Sequence, residues 1–462
     1  MNESYWEAQS SRSRRPAKDL KAYTSIITQH GRQRQWQEAV MVLEDMRLQN
    51  VTPSVITYSA LVSACSRGRQ WASAVAVLTE MQRQGVHPDL FTFSALITAC
   101  ANGQEWAKSL QLLSDLQRRS LSPDAFAYNA TISACEKGNE WAKSLHLFDE
   151  MRCKHIRPDT VTFNSCISAL GNAQRWSDSL WMLASMPVVQ LSPDVVTISA
   201  AISACTQGRE WARALSLFHE AKRRASGDLR PNVVTYGAAI NACERGHLWA
   251  EALSLLAAAT AEGLRPSLTS VNAAISACGG GEQWWQALLL LRSLRSSSSL
   301  VPDVVTFSAC ISACAQGQKW REALGLLQDL SRSSLKPDLI SLSAAVSACE
   351  KGHQWRKALE ILGETRRNQL QPNIITYDAA ISACGNSHQW AQALELLALA
   401  RREGIAFTVV TYNASIRACS LGIQWARALL LLCEMRQSAL QPDTTTCRTA
   451  IGACGPSWID AF

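Results

Sequence analysis

Sixteen cysteines and eight histidines are the side chains of this 462-residue chain best suited to metal ligation or nucleophilic chemistry. A metal site needs converging ligands, commonly C-x₂₋₄-C pairs. The one close pair, Cys310 and Cys314, lies a single helical turn apart. There is no H-E-x-x-H, no G-x-x-x-x-G-K-[ST], no G-x-S-x-G and no H-x-E with a downstream C-x-x-C. Neither catalysis nor a cofactor or metal is expected. Short hydrogen-bonding side chains offer a different chemistry. Ser59, Ser94, Asn129, Asn164, Ser199, Asn272, Ser308, Ser343 and Asn413 are each followed about thirty residues later by Asp89, Asp124, Asp159, Asp194, Asn232, Asp303, Asp338, Asn373 and Asp443. One such pair per interval could read a polymer unit by unit. The same residue types also cap helices.

What positions these groups is a clock. Trp36, Trp71, Trp106, Trp141, Trp176, Trp211, Trp249, Trp284, Trp320, Trp355, Trp390 and Trp425 fall 35 residues apart, with single intervals of 38 and 36. Cys65, Cys100, Cys135, Cys205 and their successors to Cys419 each precede a Trp by six residues, and Leu170 takes that place once. Length alone, at about 150 residues per domain, would imply three domains. A fixed period of this size instead marks one array in which each unit stacks on the next.

In the unit Ala125–Asp159, Tyr128, Ile132 and Cys135 are spaced to share one helical face, and so are Trp141, Leu145, Phe148 and Met151. Gly138 should break the first helix and Pro158 should end the unit, with Thr162 the expected cap of the next helix. The reading is an all-α, right-handed superhelical solenoid of stacked helix-turn-helix repeats. Twelve units fill 20–443, after an N-terminal extension (1–19) and before a partial repeat (444–462), read either as a cap of the array or as a truncated unit. Insertions at 225–228 and 296–299 should be surface loops. The tryptophans, on the stripe with Leu and Met, are expected in the core, and Trp181 and Trp285, off that stripe, at the surface. The repeated cysteines are read as buried thiols of a reducing compartment, too far apart for disulfides. His247, His353 and His388, as well as "GGG" at 279–281, should lie in inter-helix turns.

Charge adds little. Forty-five basic against thirty-eight acidic residues leave +7, with no long like-charge run, so an acidic partner is only weakly favoured. No window of 18 uncharged apolar residues exists to span a membrane, so none is expected as a partner.

The 35-residue unit, as in "VVTYNASIRACSLGIQWARALLLLCEMRQSALQPD" (409–443), resembles the pentatricopeptide repeat over nearly the whole chain from residue 20. Trp at position 17 and Cys at position 11 depart from the usual pattern at packing positions. The resemblance implies that the fifth and last residues of each unit, the two sets above, together select one base of single-stranded RNA. It also implies that the second residue wedges beside the base. That residue is Ile56, Phe91, Phe126, Val161, Val196, Val234, Val305, Ile340, Ile375 or Val410, and an apolar wedge suits unstacked bases. Position 13, near the RNA backbone by the same resemblance, is basic at Arg32, Arg67, Lys137, Arg245 and Lys351. Asp only accepts hydrogen bonds and suits G or U, whereas Asn also donates and suits A or C. A small Ser at position 5 leaves room for a purine, and a larger Asn favours a pyrimidine. With the N-terminal repeat at the RNA 5′ end, the expected site is 5′-GGUUANUGANU-3′. Gly237/Ser267 and Asp378/Thr408 are left unassigned, and Thr24/Ser54 is not used.

The family serves mitochondria or plastids. "SRSRRPAK" in the first twenty residues has transit-peptide character, although Glu3 and Glu7 depart from it. A monomer acting by occupancy is expected, in RNA processing, stabilisation or translation. The rival is a tetratricopeptide-like scaffold for protein partners, whose motif places Trp in the first helix rather than opening the second.

Overall fold

The computed structural model describes residues 20–49, 51–224, 230–296, 300–333, 335–438 and 440–454. The N-terminal extension, the insertion at 225–228, most of that at 296–299 and the last eight residues lie outside them. The described residues form twenty-five α-helices and one short 3-10 turn. The chain divides into two compact units, residues 1–230 and 231–462.

In the first unit, helices Leu20–Arg32, Val55–Arg67, Leu90–Asn102, Ala125–Lys137, Thr160–Asn172 and Val195–Gln207 alternate with Trp36–Leu48, Trp71–Arg83, Trp106–Arg118, Trp141–Cys153, Trp176–Ser185 and Trp211–Arg223. The second unit repeats the scheme, from Val233–Arg245 and Trp249–Ala261 to Val409–Leu421 and Trp425–Gln437, then ends on Thr444–Cys454. Within each unit every first helix packs on its own second helix and on the next first helix, and every second helix packs on the following first helix. Tyr58, Phe93, Tyr128 and Phe163, and Tyr236, Phe307, Tyr377 and Tyr412, are buried where the spacing places them. The shortest second helix, Trp176–Ser185, stops because Pro187 cannot extend it, and a 3-10 turn over Pro187–Val189 follows.

Gly138 ends its helix as expected, but it is not the residue that makes the turn. The glycine of position 14 keeps an ordinary right-handed backbone, as at Gly138 (φ −84°). The left-handed residue is the next one, never a glycine. It is Arg34, Arg69, Gln104, Asn139, Gln174 and Arg209 in the first unit, and His247, Glu282, Gln318, His353, His388 and Ile423 in the second, with φ between 53° and 63°. The three histidines are thus exposed turn residues, as expected. Gly279 and Gly280, by contrast, close the helix Leu268–Gly280, and only Gly281 enters the turn.

Position 14 is glycine because of a neighbour. A Cβ on Gly138 would lie 2.3 Å from Cδ1 of Trp106, and one on Gly352 would lie 2.3 Å from Cδ1 of Trp320, each Trp opening the second helix of the repeat before. The tryptophans are therefore not core residues. They lie half-buried between repeats, and Trp211 and Trp425 are exposed. A cation of the next repeat covers several: Lys143 Nζ lies 3.6 Å from the Trp106 ring, and the Arg175 and Arg213 guanidinium carbons each lie 4.2 Å from those of Trp141 and Trp176. Trp181 and Trp285 are exposed, as their off-stripe positions predict.

All fifteen cysteines whose side chains are described are free, and twelve of them are buried. Burial pushes the Cys65, Cys100 and Cys135 thiols up to about 11, so the row is chemically quiet.

Two outcomes are expected. At pH 8 a thiol reagent titrates only Cys153, Cys433 and Cys447 quickly, with Cys454 a fourth at most, and reaches the rest only in denaturant. Gly138→Ala lowers stability by about 1–3 kcal/mol through the overpacked indole. Ala173→Gly, at the equivalent place after Trp141, costs less than about 1 kcal/mol in the same denaturation assay.

Candidate nucleic-acid interface

The last residue of each repeat is the N-cap of the next first helix. Asp89 Oδ1 accepts the Thr92 backbone N–H at 2.8 Å, and Asp124 Oδ1 accepts that of Ala127 at 2.8 Å. Asp159, Asp194, Asp303, Asp338 and Asp443 each accept through Oδ1 in the same way. Thr162, expected as the cap, is instead the third helical residue. Its hydroxyl accepts the Asp159 backbone N–H at 3.1 Å and closes a capping box. The helix begins one residue after Asp159, so Thr162 is already inside it.

Capping engages only one of the two side-chain polar atoms of an aspartate or asparagine. At the capping aspartates Oδ1 faces the helix, and Oδ2 takes none of the capping bonds. At Asn232 and Asn373 the helix N–H groups require Oδ1, at 3.0 Å from both Thr235 N and Thr376 N, so the amide Nδ2 points away. An aspartate cap therefore offers an acceptor and an asparagine cap a donor. Burial works against ionisation at Asp194 and Asp303. The bonds from Thr197 and Asn164, and from Thr306 and Asn272, nevertheless hold these carboxyls below the ordinary carboxylate range.

The structure brings the fifth and last residues of a repeat into contact. Asn129 Nδ2 donates to both Asp159 oxygens at 3.1 and 3.0 Å and Asn413 Nδ2 to both Asp443 oxygens at 3.3 Å, whereas Ser308 Oγ lies 3.2 Å from Asp338 Oδ1 but nearer, at 2.8 Å, to Val304 O of its own helix. The Asn164–Asp194 and Asn272–Asp303 pairs are longer, at 3.5 Å. Other serines turn inward: Ser59 and Ser343 donate to their own helix, at Ile56 O and Ile340 O, and Ser94 Oγ is enclosed without a partner. Ser199 bonds to Val195 O.

Beside these pairs stands a row of apolar side chains in water. Ile56, Phe91, Phe126, Val161 and Val196 in the first unit, and Val234, Val305, Ile340, Ile375 and Val410 in the second, are 54 to 70% exposed. Arg67 joins them. A groove of about 750 Å³ is lined by Arg67, Asp89, Phe91, Ser94, Asp124 and Phe126 together with Ser63, Ser66, Leu90, Ala95, Thr98 and Asn102. A second, of about 790 Å³, includes Thr24, Arg32, Ser54 and Ile56. Arg32, Arg67, Lys137, Arg245 and Lys351 are exposed in the last turns of their helices. Lys137 Nζ also reaches Ala101 O at 3.3 Å. The involvement of Thr162 and its equivalents was not anticipated, although Thr recurs three residues after the last residue of most units. Among the described residues no cluster of three metal-ligating side chains occurs, and no helix is long and apolar enough to cross a membrane.

Comparison with known proteins agrees with this geometry. Models of the PPR repeat family match residues 18–67, 60–102 and 123–172, those of the pentatricopeptide repeat domain 216–281 and 325–387, and those of the PPR repeat 161–188 and 305–335. No curated protein sequence matches the chain. Among solved structures, that of the pentatricopeptide repeat protein PPR10 from maize is 20% identical, covers 95% of this chain and 76% of its own, and has a TM-score of 0.56. PPR10 in complex with an 18-nt psaJ RNA element is also 20% identical, covers 97% and 79%, and has a TM-score of 0.51. With its repeats matched by family models along most of its length, the chain belongs to the pentatricopeptide repeat family.

Proposed function

We propose that the chain binds single-stranded RNA in a sequence-specific manner, one base per repeat, and acts by occupancy without chemistry of its own. The observation that carries this reading is the shared groove, where an exposed apolar side chain, a polar pair and a cation recur together. Unstacked bases need an apolar face to lie against, hydrogen-bonding groups at their edges and positive charge along their phosphates. A protein-binding scaffold has no need to repeat an exposed apolar residue beside a polar pair along most of the array, with a cation at five of its repeats. The similarity in fold to PPR10, solved with RNA bound, supports the same reading.

The cap geometry favours the base pairing inferred from residue types. Oδ2 of Asp159 or Asp443 accepts the Asn129 or Asn413 amide and keeps a second lone pair, which suits the ring N–H of uracil. The outward Nδ2 of Asn373 suits the ring acceptor of adenine. The site proposed remains 5′-GGUUANUGANU-3′, in a transcript of a mitochondrion or plastid, bound by a monomer. Occupancy there would shield the transcript from exonucleases, hold it open for translation or expose a processing site.

Repeat 374–408 stays unassigned, and its reader is unusual. The Asp378 carboxyl is half-buried, and its Oδ1 is enclosed without a partner. Desolvation lifts it above the ordinary carboxylate range despite a bond from Thr411. A carboxyl raised on folding costs stability once pH exceeds its ordinary value, and the cost is complete above the raised one.

Selection from a randomised RNA pool should enrich a motif resembling GGUUANUGANU, with a salt slope of about −3.5 if all five position-13 cations meet phosphates. Enrichment of an unrelated motif would discard the base assignments, and no retention by folded protein would overturn RNA binding itself. Independently, Asp378→Asn should stabilise the protein by about 1 kcal/mol at pH 7. That gain should shrink as pH falls towards 4, as read by denaturant unfolding.

A further inference from the structure

We propose that the threonine at the third position of a repeat sets the hydrogen-bonding polarity with which the preceding repeat reads its base. Thr162, Thr306 and Thr446 are positioning residues, fully buried and out of reach of any ligand. This inference rests on the RNA-reading function proposed above.

The argument follows the protons. The Thr162 oxygen accepts the Asp159 backbone N–H at 3.1 Å, so its single proton is free to be donated. That proton goes to Asn129 Oδ1 at 2.6 Å, with Asp159 Oδ1 slightly farther at 2.9 Å. Thr446 likewise lies nearer Asn413 Oδ1 than Asp443 Oδ1, and Thr306 lies 2.8 Å from both Asn272 Oδ1 and Asp303 Oδ1. An asparagine amide has two orientations related by a half-turn, and they exchange donor for acceptor. A hydroxyl donating to Oδ1 selects one, with Nδ2 turned towards the aspartate of the same repeat. The flipped amide would set its carbonyl oxygen against that carboxylate. With the amide held, Nδ2 anchors the carboxylate, and the polarity presented to a base is that of an acceptor.

The same chain holds contrasting cases. Ser341 occupies this position with a hydroxyl but without the methyl that limits rotamers, and it turns back to Asp338 O at 2.8 Å. Thr197 gives its proton to Asp194 at 2.7 Å, and Asn164 Oδ1 is left enclosed without a partner. A β-branched hydroxyl directed at the amide is therefore a particular arrangement and not an automatic result of capping.

Thr162→Val keeps shape and branching and removes only the hydroxyl. In the full-length chain, binding would be measured to GGUUANUGANU-type RNAs carrying U or C at the third base, read by Asn129/Asp159, and at the last, read by Asn413/Asp443. The expected result is a loss of about tenfold in U-over-C preference at the third base, the equivalent of one hydrogen bond. Preference at the last base should be unchanged, and Thr162→Ser should fall between. A purely structural role would weaken both RNAs equally and leave the ratio intact, which would overturn the proposal even if the variant is less stable. If the unaltered protein retains no RNA, the underlying reading fails first and this inference falls with it.

Discussion

One hydrogen bond joins the scaffold to its candidate function: the side chain at the end of each repeat accepts the third backbone N–H of the next first helix. A helix exposes unsatisfied N–H groups at its start, and a short side-chain oxygen just ahead of it relieves one of them. Here that oxygen belongs to the preceding repeat, so the bond ends one unit and begins another. The side chain cannot move without uncapping a helix, which gives its remaining polar atom a fixed address. Helix capping and base contact are usually weighed as competing explanations for a row of Asp, Asn and Ser. At the aspartate and asparagine junctions of this chain the cap takes one side-chain atom and leaves the other outside it, so the two roles need not compete.

A second constraint acts at the opposite end of the first helix. At eight junctions the indole that opens a second helix occupies the place where the next repeat would carry a Cβ, and glycine there lets neighbouring units approach. A cation laid over several of these rings completes the seam. Stability built from such nearest-neighbour seams is spread along an array rather than held in one core.

The architecture was legible because spacing carries it. The period of Trp and Cys, the stripe through Tyr128, Ile132 and Cys135 and the stops at Gly138 and Pro158 place both helices of each unit within a residue or two. Exposure of the position-2 side chains was also foreseeable, since they fall off the apolar stripe. What spacing cannot tell is which repeat a side chain meets. Trp106 belongs to the stripe of its own helix yet spends its surface on Gly138, one unit away. The role of Thr162 was missed for a related reason: the cap lies one residue outside the helix, and the boundary decides which of two polar residues it is. The serine hydroxyls were illegible altogether, because Oγ meets a helix carbonyl at Ser59, both a carbonyl and an aspartate at Ser308, and no partner at Ser94.

The capping bond at each junction also limits how such an array can change. Asp, Asn, Ser and Thr all cap a helix, and the chain uses all four at the junctions between repeats. An exchange of Asp for Asn at a junction keeps the accepting oxygen and replaces the outward acceptor with a donor. The fold would tolerate it while the contact surface reversed its character. Variation at these positions is thus close to neutral for folding and, under the proposed function, consequential for recognition. A lineage could wander among target sequences without first crossing a valley of unfolded intermediates.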